Sequence, residues 1–187
     1  MKTTNQFGTG LLVVLSMFLT SCDGGSVDGV EGADAGGSAG GVDFEYVHLA
    51  GTEPASGANM PFTSAIRVRQ GNMVFLSGIT SAPVPHSHPH VPAEFDGLDF
   101  SAAAQAESIM KRLKRTMETA GGELQDIIQV TRFVVDIGEN QDEINRVMNS
   151  YWGEDHRPAS TSVEIVRLAT DPRFLLEVEA VAVIPEQ

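Results

Sequence analysis

Residues 157–168 read RPASTSVEIVRL. A proline and a small residue lead into side chains that alternate small-polar and β-branched, the pattern of a strand. A turn at ATDP follows, then FLLEVEAVAVIP (174–185), which alternates again. The two runs predict a pair of closing strands. Ser160, Thr161 and Ser162 set short neutral hydroxyls where the chain enters the first of them. Glu177 and Glu179 share one face of the second, because strand side chains alternate. What these residues hold decides the chemistry.

Working back from this pair, DIIQVTRFVVDI (126–137) reads as a buried strand. Between the strands, Asn140 with Glu143 reads as an N-cap and its reciprocal acid. They open a helix with an apolar stripe of Ile144, Val147, Met148 and Tyr151, stopped by Gly153. Upstream, SAAAQAESIMKRLKRTMETAGG (101–122) predicts a helix with Ala106, Met110, Leu113, Met117 and Ala120 on its inner face. Lys111, Arg112, Lys114 and Arg115 read as its solvated face, and Gly121-Gly122 as its stop. TSAIRVRQGNMVFLSG (63–78) reads as a hairpin turning at Gln70-Gly71-Asn72, and FEYVHLA (44–50) as a first strand. The order β-β-β-α-β-α-β-β is that of an α+β domain with helices on one face of a sheet.

The chain of 187 residues carries 25 acidic against 12 basic side chains, a formal charge of −13. That excess argues against a nucleic-acid partner, which needs a basic face. Residues 1–21 read as an export signal: Lys2, then the apolar run LLVVLSMFL (11–19), too short to span a bilayer comfortably. The run ends in LTSC, with the chain's single cysteine at Cys22, and resembles a bacterial lipobox. The resemblance implies cleavage before Cys22 and acyl chains on its sulfur, hence a lipid anchor on the periplasmic side of the envelope. Asp23 leans that anchor towards the inner membrane. Residues 22–43, from the lipidated cysteine through DGGSVDGVEGADAGGSAGGVD, read as a flexible tether with too little apolar area to order itself. Residues 44–187 are the folded domain.

GNMVFLSG (71–78), a helix ending in AGG, VTRFVVDI and RPASTSVEIVRL…LEVEAVAVIP together resemble the RidA family, also called YjgF-type, over residues 61–185. The resemblance implies a chorismate-mutase-like fold and a homotrimer with clefts between subunits. It implies hydrolysis of enamines or imines to the keto compound and ammonia, with no cofactor. Residue by residue, Ser77 matches the family's serine before the strand-ending glycine, Asn145 its helix asparagine, and Glu177 the glutamate thought to activate water.

Three positions depart from the family. Phe62 stands where a tyrosine is usual, Ser162 where the archetype has cysteine, and Ser160 where it has the arginine that clamps the substrate carboxylate. A serine hydroxyl cannot replace a guanidinium fork. Arg157, three residues upstream, is the expected stand-in, with Arg173 second; otherwise Ser160 and Ser162 would bind a neutral ligand. A non-catalytic small-ligand-binding trimer on the same fold is the competing expectation. His86, His88 and His90 alternate in HSHPH, and imidazole is a common metal ligand, but no cysteine or well-spaced carboxylate completes a site. No metal is therefore assigned. Asp155 and His156 beside Arg157 read as a solvated charged loop.

Overall fold

The computed structural model describes residues 33–35, 41–49 and 62–186. The export run, Cys22 and most of the tether lie outside the described residues. Within the tether stretch, β1 (Ala33–Ala35) pairs antiparallel with β2 (Asp43–Val47), which pairs antiparallel with β3 (Ala65–Gln70). Then come β4 (Asn72–Ile79), α1 (Ala102–Ala120), β5 (Ile127–Val135), α2 (Ile137–Trp152), β6 (Ala159–Ile165) and β7 (Leu176–Ile184). From β2 onward the element order is the expected one.

The main sheet runs β4-β7-β5-β6. Its β5–β6 pair is parallel and the other two are antiparallel. A parallel pair needs a crossover, and α2 supplies it. Both helices cover one face of this sheet. Ile109, Met110, Leu113, Met117, Ile144 and Met148 are fully buried there against Val130, Val178, Ala180 and Ala182. Burial of each large side chain stabilises the fold by about 1.5–3 kcal/mol.

Helix α1 starts as its sequence dictates: the Ser101 hydroxyl accepts from the Ala104 N–H at 3.3 Å, and Gly121 ends it in the left-handed region at φ 87°. Helix α2 starts earlier than expected. Its N-cap is Asp136, and Asn140 lies inside the first turns, donating to the carbonyls of Val135 and Asp136. Glu143 pairs with Arg146 instead of capping. Arg112, read as solvated, instead donates to the carbonyls of Thr80 and Ala82 and ties the long loop after β4 to α1.

The expected hairpin across Gln70-Gly71-Asn72 does not form. β3 belongs to the β1-β2-β3 sheet and β4 to the main sheet. Gly71, at φ 125°, turns the chain between them, and a Cβ there would meet Val183 Cγ1 at 2.4 Å. The turn lets Val42 and Phe44 pack on Ile128 and Val183, on the sheet face away from the helices. Period-2 alternation predicts a strand but not its partner. Between β2 and β3, Glu45 is buried and held by Arg67 and Arg69.

His156 corrects the reading of its loop as solvated: it is 6% exposed. Its Nδ1 lies 2.7 Å from the Tyr46 hydroxyl and its Nε2 2.8 Å from the Ile127 carbonyl, so it joins β2 to the main sheet. Burial, with a smaller contribution from Arg157, lowers its pKa from 6.5 to about 4, against an opposing hydrogen bond to Ile127. The native state thus keeps His156 neutral where the unfolded chain would protonate it. Its contribution to stability is present above the unfolded value of 6.5 and is lost as pH falls towards about 4. The loss over that window is of order 3 kcal/mol. Urea melts from pH 7.5 to 4 should show a steeper decline for the native protein than for His156→Gln. Parallel curves would refute the assignment.

Candidate functional site

The residues expected to bind and transform a ligand fall on two faces of the main sheet. On the helix side, register sets Val130 opposite Ser160 and Arg132 opposite Ser162. Arg132 donates from its guanidinium to the Asn145 carbonyl oxygen on α2. Its Nε is buried with no hydrogen-bond partner. Among the described residues no carboxylate pairs with it, and burial lowers its pKa from the ordinary value. Arg132, Asn145, Asn149, Trp152, Pro158 and Ser160 line a notch with room for about one water molecule. A half-buried cation without a counter-charge among the described residues, beside an amide and a hydroxyl, is the donor set of a site for a small anionic group.

On the opposite face stands the carboxylate. Glu177 is half-buried and opposite Phe133. The β4–β7 register shifts between Leu76 and Ile79, a bulge that contains Ser77 and Gly78. A Cβ added at Gly78 would lie 1.9 Å from Glu177 Oε1, so the carboxylate rests directly on the glycine backbone. This bulge brings the sequence-predicted Ser77 and Glu177 to neighbouring strands at one place. Ser77 is exposed there, and so is Glu179, opposite Thr131. On the same face Phe75 is 77% exposed, Met73 46% and Val163 40%.

The other expected residues sit as follows. Ser160 and Asn145 are brought together with Arg132, and Ser162 stands across from Arg132 on β6. Phe62 is exposed just before β3 and does not line the notch. Neither stand-in arginine enters it. Arg157 donates to the carbonyls of Gly153 and His156 at 2.5 and 2.6 Å. Arg173 is held by Asp171 and Asp96 at 2.9 and 2.8 Å and lies over the Phe100 ring. Arg132 is the residue that sequence reasoning missed. Its signal was a lone basic residue inside the apolar run DIIQVTRFVVDI, at the same strand parity as buried Val130.

Fold and site together define a two-helix α+β domain with a carboxylate at a strand bulge and a separate half-buried guanidinium. Residues 52–184 match the family described as endoribonuclease L-PSP. The chain belongs to that family, the RidA or YjgF-type proteins. It is 32% identical over 134 residues to the 2-iminobutanoate/2-iminopropanoate deaminase of Escherichia coli, covering 71% of this chain and 94% of that one. It is 30% identical over 131 residues to a RutC family protein of Pyrococcus abyssi, covering 70% and 92%. The fold is similar to that of the Rid family protein YyfB from Yersinia pestis, with a TM-score of 0.55 and 21% identity over 66% of this chain and 87% of that one.

Proposed function

We propose that this chain hydrolyses a small reactive imine or enamine to a carbonyl compound and ammonia, at clefts between the subunits of a homotrimer. The observation that carries this reading is Glu177, seated on Gly78 beside Ser77 in a protein of this family. In the reaction, the Glu177 carboxylate takes a proton from water as the oxygen attacks the imine carbon. The C=N electron pair moves to nitrogen, which gains a proton. The tetrahedral adduct then collapses: its hydroxyl gives up its proton, the nitrogen takes up a second proton, the C–N bond breaks, ammonia leaves and C=O forms. The reaction is redox-neutral, and water is the only co-reactant.

Within one chain, Glu177 and Arg132 face opposite sides of the sheet, because Glu177 is opposite Phe133 and Arg132 is opposite Val178. One small ligand cannot touch both there. A cleft between subunits unites the carboxylate of one chain with the guanidinium of the next. Exposed Phe75, Met73 and Val163 on the Glu177 face favour such self-association. We further propose export and anchoring through lipidated Cys22, with the domain facing the periplasm.

The test is imine clearance by the full chain. An amino-acid oxidase generates imines, semicarbazide competes for them, and carboxylate-bearing and neutral imines are compared. The expected result is faster clearance of the carboxylate imine. If a folded trimer accelerates neither, the non-catalytic ligand-binding reading replaces this one.

A further inference from the structure

We infer that His86, His88 and His90 form a binding site for one divalent transition-metal ion of the zinc class. Each imidazole offers a nitrogen, and these nitrogens lie within 4.8 Å of one another. The rings converge, with centroids 4.8, 5.2 and 4.6 Å apart for the three pairs. Tetrahedral zinc with bonds of about 2.0–2.1 Å needs ligand nitrogens roughly 3.3–3.4 Å apart. Small side-chain rotations close that gap.

The cluster is not a free stretch of loop. His86 and His90 pack against Phe95 at 5.6 and 6.5 Å between ring centroids, and Phe95 is fully buried against Phe174. Arg112 ties the start of the loop to α1 through the Thr80 and Ala82 carbonyls. His86 Nδ1 lies 2.6 Å from the Pro83 carbonyl, which can only accept, so Nδ1 carries the proton and Nε2 keeps its lone pair for a metal. Ligating histidines are commonly oriented by such a bond.

Glu94 supplies nearby negative charge. It accepts from the Ser87 N–H at 2.8 Å and from the Ser87 hydroxyl. Those two bonds, the hydroxyl's first, hold its pKa below the ordinary carboxylate range. Three imidazole donors leave a tetrahedral ion with one open position, the arrangement of a reactive rather than a closed structural site. Nitrogen donors favour zinc, copper or nickel over magnesium or calcium, which prefer oxygen. Alternation in the sequence placed the histidines on one face at most; the aromatic platform and the Pro83 contact are what aim them at one point.

Titration calorimetry of the full chain, without a histidine tag, with zinc sulfate tests this. The expected result is one equivalent bound with a dissociation constant of about 10 μM or tighter, not displaced by excess magnesium. His88→Ala, an exposed position, should weaken binding at least roughly tenfold without altering the melting temperature of the metal-free protein. X-ray absorption on the bound ion should report imidazole scatterers at about 2.0–2.1 Å. Millimolar binding, or an affinity unchanged in both His88→Ala and His90→Ala, would overturn the inference and place the ion on the acidic surface. These readouts are independent of hydrolase activity.

Discussion

Replacing Glu177 with glutamine is expected to lower kcat for imine hydrolysis roughly 10²–10⁴-fold, the usual span for a positioned general base. Glutamine keeps the size and one oxygen of the side chain, so its contact with Gly78 survives. What it loses is the basicity that accepts a proton from water. KM should move little, because the substitution leaves the Arg132 notch on the other face untouched. Sedimentation of the proposed trimer should also be unchanged, because exposed Phe75, Met73 and Val163 are left in place. The comparison is made by semicarbazide competition at saturating imine. A variant retaining more than a tenth of the native rate would remove Glu177 from the proton-transfer step.

Alternation by itself set Glu177 and Glu179 on one strand face, as a polar face would be; it was the family resemblance that singled out Ser77, Asn145 and Glu177. The helices were legible from their stripes and the end of α1 from Gly121, both short-range signals, whereas Asn140 and Glu143, read as the cap of α2, lie inside it. Partnering was not legible. The separation of β3 from β4 depends on Phe44 and Val42 finding Ile128 and Val183, contacts between residues far apart in sequence. Arg132 was hidden for a related reason. Only the parallel β5–β6 pairing sets it beside Ser160 and Ser162, and only α2 packing brings Asn145 to it. Arg157 is near Ser160 in the chain, but its guanidinium donates to the carbonyls of Gly153, at the end of α2, and of His156 in the following loop. His156 sits in a charged sequence, yet Tyr46 and Ile127, both distant in the chain, bury it.

Arg132→Met should lower kcat/KM for a carboxylate-bearing imine about tenfold to a hundredfold and leave a neutral imine unaffected. The magnitude is that of one charge-assisted contact, about 1.5–3 kcal/mol. Lysine at this position should recover only part of the loss, because a point charge cannot reproduce the planar fork. Stability separates binding from folding. Arg132 carries a buried Nε without a partner, and among the described residues no acid balances its charge. Methionine has similar length and no charge to desolvate, so the variant should melt at the same temperature or higher. A residue whose removal costs the fold nothing but costs the carboxylate substrate its affinity is held for the ligand. Ser160 lines the same notch, so Ser160→Arg in the Arg132→Met background should restore part of the carboxylate preference. Equal losses on charged and neutral imines, with a lowered melting temperature, would instead make Arg132 a packing residue that holds Asn145.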